Sequence, residues 1–263
     1  MITEHIAITR FAQDASFYGR IELLLTVKSF ELDKIRERYL QSRQSGSGRR
    51  GSANRREAGI GGVAHVVIEQ GKLVHREVLA KLKEPRGIAA QGERLAISAE
   101  NEVFVLGDAV QTLRNPWFSY IHTLDFSVDN RLLVSSSGFD ALFEYDLATG
   151  APTMEWFAWE HGFNRGKDPE TGAPVLLTRV PLEDSSQQHL LINDPATQVL
   201  PTAMRAAFIN SVVYDTNAPD TLLATFFHEG AVYAIDRNSG AAAQVLGELT
   251  TPHGGRRWGD AVM

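Results

Sequence analysis

The sequence predicts an all-β fold built from a repeated unit of about forty residues. The first observation is a recurring turn that closes an apolar strand and begins at Asp146, Asp194 and Asp236. The second is a match between copies, in which residues 132–135 and 142–146 correspond to residues 222–225 and 232–236. Because each copy holds four short strands separated by turns, we predict a β-propeller of about six four-stranded blades.

The first eighty residues fit this repeat less closely. Apolar residues from 20 to 30 predict inner strands, and a helical spacing predicts a short helix over 31–44 with Ser29 as N-cap. The Gly/Ser-rich basic stretch 45–56 has no large apolar side chain to bury, so we expect a mobile loop. Residues 31–58 are therefore predicted to be an insertion within a single propeller domain, 1–263.

The remaining blades follow in order along the chain. Residues 62–78 are predicted to form the outer half of a blade, and four further copies are predicted at 85–118, 119–159, 161–207 and 208–250. Pro252 opens a last blade that the chain leaves incomplete. Either residues 2–9 supply a closing strand or the chain is truncated, and we favour truncation. An unclosed propeller edge predicts self-association.

Composition narrows the classes of function. A net charge of -6 argues against general affinity for nucleic acid or an anionic membrane surface. The chain has no cysteine, which excludes disulfides, thiolate metal sites and cysteine nucleophiles. The first residues lack a secretory leader pattern and no apolar run is long enough to span a membrane, so we expect a cytoplasmic protein.

The repeat places one residue of each copy at the start of its innermost strand. Such positions form a ring around the axis of a propeller, and here they are Arg86, His122, His161, Asn210 and His253. Three imidazoles on one rim suit a divalent metal, zinc or iron, with an open coordination position. We therefore predict His122, His161 and His253 as metal ligands and Asn210 as a weaker ligand or substrate contact. The alternative is that each histidine is a hydrogen-bonded structural group.

A second set of loops is expected to overhang the same rim. His228 and Glu229 follow the second strand of their copy, where an imidazole or carboxylate can act as a general acid or base or orient a ligand. Together with Arg86 they are the predicted catalytic residues.

The chain resembles the six-bladed propellers of the NHL-type, strictosidine-synthase-like and lactonase-like superfamily. The resemblance covers roughly residues 60–263 and rests on the motifs at 85–88, 132–134, 142–150 and 252–254. The histidines on inner strands are also similar in layout to those of amidating lyases, in which three hold zinc, and more distantly of carotenoid oxygenases, in which four hold iron. Only His122, His161 and His253 match, and Asn210 departs from a four-histidine set.

These observations favour a propeller that binds a small molecule in a histidine-lined central pocket. The resemblance implies metal-dependent lyase, hydrolase or oxygenase chemistry at that pocket. The competing hypotheses are a scaffold that binds a peptide or protein, and a truncated, inactive relative of such an enzyme.

Overall fold

The computed structural model describes residues 19–42, 51–54, 57–183 and 188–263, and these residues are nearly all β. Six sheets follow one another along the chain. The prediction of an all-β, propeller-like fold is confirmed: three of the six sheets have the predicted four strands, the last sheet has two, and the sheets do not close into a ring within the described residues. One α-helix, α1 (Leu32–Ser42), lies in this part of the chain.

Sheets 1 to 3 occupy the first part of the chain. Sheet 1 contains β1 (Arg20–Val27), β2 (Ile60–Glu69) and β3 (Lys72–Lys83). Sheet 2 contains β4 (Ile88–Gln91), β5 (Arg94–Ser98), β6 (Glu102–Leu106) and β7 (Gln111–Arg114). Sheet 3 contains β8 (Ile121–Phe126), β9 (Arg131–Ser136), β10 (Ala141–Asp146) and β11 (Pro152–Phe157).

Sheets 4 to 6 complete the described fold. Sheet 4 contains β12 (Arg165–Lys167), β13 (Pro174–Thr178) and β14 (His189–Leu191). Sheet 5 contains β15 (Ile209–Tyr214), β16 (Thr221–Phe226), β17 (Ala231–Asp236) and β18 (Ala242–Leu246). Sheet 6 contains β19 (Arg257–Trp258) and β20 (Ala261–Val262). Single 3-10 turns occupy Ala158–Glu160 and Thr202–Met204.

The recurring Asp turn has the geometry that its sequence predicts. In the turn after β10, Asp146 Oδ1 accepts the backbone N–H groups of Ala148 at 2.8 Å and Thr149 at 2.9 Å. The turn after β17 repeats this, with Asp236 as the acceptor. Each turn ends on a glycine with φ of +72°, a conformation that side chains with a Cβ rarely adopt. The turn chemistry therefore sets the register of two blades in the same way.

Sheet 3 packs directly against sheet 5. The Thr123 hydroxyl accepts the Val212 backbone N–H at 2.9 Å, which links the innermost strands β8 and β15. Two residues further along both strands, the Asp125 carboxylate accepts the Tyr214 backbone N–H at 2.9 Å. On its other side, β8 packs against β4 of sheet 2. The innermost strands therefore run in the spatial order β4, β8, β15.

This order corrects the prediction that residues 161–207 form a consecutive blade. Sheet 4 has three short strands, its β13 and β14 pair in parallel, and it does not separate β8 from β15. Its apolar residues, such as Leu177 and Ile192, instead join the core that sheets 3 and 5 share. Residues 161–207 are an insertion that packs onto two adjoining blades, because its strands are too short and irregular to form a four-stranded meander.

Helix α1 near the N-terminus and sheet 6 at the C-terminus both agree with the sequence predictions. Helix α1 lies within the predicted range, and Ser29 Oγ accepts the Glu31 backbone N–H at 3.1 Å, close to the expected cap. Sheet 6 has two strands, as an incomplete blade requires. The predicted strand at 2–9, residues 43–44 of the predicted helix, and residues 45–50 and 55–56 of the predicted basic loop lie outside the described residues. No helix among the described residues is long and apolar enough to cross a membrane.

Candidate functional site

A repeated backbone turn marks the start of four innermost segments. In each, a residue other than glycine adopts the left-handed conformation two positions before a predicted ring residue. The four residues, with their φ angles, are Glu84 (47°), Tyr120 (52°), Phe208 (49°) and Thr251 (51°). They precede Arg86, His122, Asn210 and His253, which we call the rim residues. This conformation is costly for side chains with a Cβ, so its repetition shows that the four positions are structurally equivalent.

His161 is the exception, and the prediction that it shares the rim is wrong. It follows the 3-10 turn Ala158–Glu160 and has φ of -116°, without the left-handed residue. Its ring stacks on Trp156 at 4.8 Å between centroids, on the outermost strand of sheet 3. The spacing of His161 matches the repeat, but the chain leaves the repeat there because the insertion begins at that point.

His122 is held in one neutral tautomer. Its Nδ1 lies 3.1 Å from the Tyr120 carbonyl oxygen and 2.9 Å from Ser137 Oγ. Ser137 donates its own proton to the Ile209 carbonyl oxygen, so both neighbours of Nδ1 act as acceptors and Nδ1 carries the proton. Nε2 is then an acceptor, and Arg86 Nη1 lies 3.3 Å from it.

Burial and nearby cations keep His122 uncharged. Burial lowers the pKa of His122 well below 6.5, and the positive charges of Arg86 and Arg205 lower it further. The imidazole therefore presents an unprotonated Nε2 at neutral pH, which is the form that accepts a proton in general base catalysis.

Two arginines stack on the Tyr120 ring beside this histidine. The guanidinium carbons of Arg86 and Arg205 lie 4.6 Å and 4.4 Å from its centroid. Arg86 also forms an ion pair with Glu84, and both side chains are largely buried. The Arg205 side chain is completely buried and also lies over Phe208. The rim thus has two cationic groups held in place by aromatic contacts.

Asp140 positions the segment that carries Arg205. The Asp140 carboxylate is fully buried and accepts the backbone N–H groups of Ala206 at 2.9 Å, Ala207 at 3.2 Å and Ile209 at 3.3 Å. Burial raises the pKa of Asp140, whereas the Arg205 charge and these donors act in the opposite direction. The carboxylate therefore fixes the point where the insertion rejoins sheet 5.

The remaining rim residues are held by the neighbouring segments. Asn210 Nδ2 donates to the Pro252 carbonyl oxygen at 2.8 Å, while the buried Asn210 Oδ1 has no donor among the described residues. His253 is exposed, and its Nδ1 lies 3.3 Å from the Thr251 carbonyl oxygen, as His122 Nδ1 lies near that of Tyr120. Its ring meets Phe227 edge-on at 5.2 Å.

The two predicted loop residues have different positions. His228 packs near Phe208, at 5.5 Å between centroids, and its Nε2 lies 3.0 Å from the Thr202 carbonyl oxygen. Glu229 is exposed and lies near Tyr233, a residue packed against Phe163 and the buried Phe226. The structure therefore places His228 against Phe208, the left-handed residue that precedes Asn210. Glu229 lies beside Tyr233 instead.

Sequence reasoning missed Glu84, Tyr120 and Arg205. For Arg205 the signal was a single cation within the apolar stretch 203–209, where a charge needs a specific reason for burial. Glu84 and Tyr120 stand at the same distance before two rim residues, so the repeat register itself marked their positions.

The predicted metal ligands do not form a coordination set. No group of three His, Asp or Glu side chains in the described ranges is placed to hold a metal ion. His161 stacks elsewhere, both nitrogens of His122 face polar partners, and one of those partners is the cation Arg86. A guanidinium beside Nε2 opposes a second cation there. The rim does not fit the predicted zinc or iron.

Comparison with known proteins identifies no family. No family profile and no curated protein matches the chain. Among solved structures, an inactive variant of virginiamycin B lyase from Staphylococcus aureus with quinupristin matches at 12% identity and a TM-score of 0.45, over 78% of this chain and 59% of that one. A selenomethionine form of the lyase from the same organism matches at 11% identity and a TM-score of 0.44, over 78% of this chain and 58% of that one.

A glutaminyl cyclase from Myxococcus xanthus is also similar, at 14% identity and a TM-score of 0.38, over 81% of this chain and 77% of that one. The chain therefore spans less than two thirds of the length of the lyase structures. Because identities and TM-scores are low, no function is transferred from either enzyme. The finer resemblance to NHL-type propellers stays a prediction.

Proposed function

We propose that the protein binds a small molecule with a carboxylate or other oxyanion at the rim and that His122 accepts a proton from it. The observation that carries this proposal is the pair formed by the neutral His122 Nε2 and Arg86 Nη1, 3.3 Å apart. A perturbed histidine next to a specific charged partner is typical of functional sites.

The chemistry follows from the two groups. An oxyanion at Arg86 takes hydrogen bonds from guanidinium N–H groups other than the one that Glu84 accepts, and together with Glu84 it offsets the positive charge that lowers the His122 pKa. His122 then becomes a stronger base when the ligand is present. A proton moves from a ligand C–H or O–H bond to Nε2, and Arg86 stabilises the negative charge left on the ligand. This acid–base step is compatible with lyase or hydrolase chemistry.

The experiment is a thermal-shift and NMR titration with succinate, benzoate and inorganic phosphate. We expect at least one of these anions to raise the melting temperature and the His122 pKa together. Arg86→Gln and His122→Asn should each remove the response. His75→Asn is the matched control, because His75 is a half-exposed histidine on sheet 1. Anion binding that survives both rim substitutions, or no binding by any anion, contradicts the proposal.

A competing function is association with a second copy of the chain. Sheet 1 favours it, since Leu24, Leu73 and Leu79 are 41%, 56% and 52% exposed. Apolar side chains on a sheet face and edge are a common basis for association. Sedimentation of wild type and Leu73→Lys separates the two functions. A mass that depends on concentration and on Leu73, with no effect of the rim variants, favours association.

A further inference from the structure

A cavity of about 630 Å³ lies between sheets 3 and 5, at the end opposite to the rim. Rim residues stand at the beginning of β8 and β15, whereas Asp125, Phe126 and Tyr214 line the cavity at the ends of these strands. A strand of this length spans about 17 Å, so the two places are separate. The volume lies within the range of small-molecule sites. We call this place the interblade cavity.

Most charged groups in the interblade cavity already have partners. Glu144 accepts hydrogen bonds from Arg131 at 3.0 Å, Arg237 at 2.6 Å, Thr153 at 2.6 Å and Tyr214 at 2.9 Å. These donors come from both sheets and satisfy the carboxylate fully. Asp129 lies 3.2 Å from Arg131, and Asp215 pairs with Arg257 of sheet 6. The two cavity arginines are therefore engaged by carboxylates of the protein itself.

Asp125 is different, because its carboxylate forms no ion pair with a basic residue in the described part of the chain. Its Oδ2 accepts the Tyr214 backbone N–H at 2.9 Å. Among the residues that the structure describes, no Lys, Arg or His side chain lies within ion-pair distance of it. Burial raises the pKa of Asp125, against two backbone N–H groups and the charge of Arg256. Removal of a carboxylate from water costs free energy that a bound cation would offset.

The surroundings of Asp125 add a second acid and apolar contacts. Asp220 lines the same cavity, is 73% exposed and lies 3.9 Å from Arg237. Phe126, Met154 and Pro219 supply apolar surface in the cavity wall. Five carboxylates and two guanidinium groups of the described residues line the cavity, and Arg257 neutralises one of these carboxylates from outside the lining, which leaves a smaller excess of negative charge.

We propose that the interblade cavity binds a small organic ammonium ion, with its N–H groups on Asp125 and its apolar part against Phe126 and Met154. Charge selects the ammonium, because an anion would meet the excess carboxylates. Shape and apolar contact select an organic cation over an alkali metal ion. This site is independent of the rim and of the function proposed for it.

The test uses two probes of similar size and opposite charge, phenethylammonium and 3-phenylpropionate, titrated into the full chain by calorimetry and amide NMR. We expect the ammonium to bind in the millimolar range or tighter and to shift the Asp125 and Tyr214 amide signals, while the anion does not. Asp125→Asn should weaken ammonium binding by about tenfold or more. The amide oxygen that this substitution introduces still accepts the Tyr214 N–H, so the fold is retained.

Asp108→Asn is the matched control, because Asp108 is an exposed aspartate between β6 and β7 of sheet 2 and should leave the affinity unchanged. Equal binding of the two probes, no binding of the ammonium, or an Asp125→Asn variant with wild-type affinity each overturns the proposal. Arg86→Gln should not alter ammonium binding. This result distinguishes a failure of the interblade-cavity proposal from a failure of the function proposed for the rim.

Discussion

Glu144 of β10 and Arg237, next to β17, form an ion pair of 2.6 Å that joins sheet 3 to sheet 5. The pair is largely buried, since the two side chains are 1% and 12% exposed. Tyr214 of β15 donates to the same carboxylate oxygen, Glu144 Oε1, at 2.9 Å. These contacts hold two blades face to face although the insertion separates them in sequence. The propeller therefore continues across the insertion.

Removal of the Glu144 charge should destabilise the fold. In Glu144→Gln, Arg131 and Arg237 lose their shared carboxylate, and a buried charge without its partner typically costs about 3–5 kcal/mol. We expect a loss of about 3 kcal/mol in the free energy of unfolding, measured by urea denaturation. The turn variant Glu93→Gln is the control and should change it by less than about 0.5 kcal/mol.

A double-mutant cycle with Arg237→Gln refines this prediction. We expect a coupling energy of about 1–3 kcal/mol between positions 144 and 237. Additive effects of the two substitutions would show that the sheets are held together by other contacts.

Stability should fall in two separate pH ranges as the solution is acidified. The folded pKa of His122 is below its ordinary value of 6.5, so the unfolded chain binds the proton first and stability declines as pH falls below about 6.5. Burial raises the pKa of Glu144, but its four donors outweigh burial and bring it below 4.5. Its contribution is therefore present above pH 4.5 and is lost as pH falls through the folded pKa.

Melting temperatures measured from pH 8 to pH 3 test whether stability declines first in the His122 range and then in the Glu144 range. His122→Asn should flatten only the upper range and Glu144→Gln only the lower one. A wild-type curve without a decline just below pH 6.5 contradicts the neutral, buried state of His122.

His161 should be dispensable for the rim. His161→Ala removes the ring that stacks on Trp156, and we expect a cost of about 0.5–1 kcal/mol in the free energy of unfolding. Anion binding at the rim should stay within twofold of wild type. If His161→Ala loses as much anion binding as His122→Asn does, His161 takes part in the rim site and this prediction is wrong.

The left-handed turn before His253 should store strain. Thr251 has φ of 51°, and a β-branched residue in this region costs about 1 kcal/mol or more relative to glycine. Thr251→Gly should therefore raise the free energy of unfolding by about 1 kcal/mol. The neighbouring Thr250, which lacks this conformation, is the control, and Thr250→Gly should lower it. If both substitutions destabilise equally, Thr251 is not strained in solution.

The sequence predicted the repeat, the Asp turns and the equivalence of Arg86, His122, Asn210 and His253, because these depend on local turn chemistry and spacing. It mistook His161 for a rim residue, since spacing cannot distinguish a 3-10 turn from a left-handed one. Arg205 and the Glu144–Arg237 pair were missed because both depend on which blades adjoin across the insertion. Adjacency of this kind is a tertiary property that a repeat pattern does not specify.

The most direct test of the rim site is NMR spectroscopy of the protein labelled with ¹⁵N-histidine, followed through a pH titration without ligand. We predict that His122 shows a protonated Nδ1 and an unprotonated Nε2 near pH 6.5, and that its pKa lies well below that value. Ser137→Ala should weaken the tautomer preference, because Ser137 Oγ is one of the two acceptors of Nδ1. A doubly protonated His122 at pH 6.5, or a proton on Nε2 in the neutral form, would contradict its role as a proton acceptor beside Arg86.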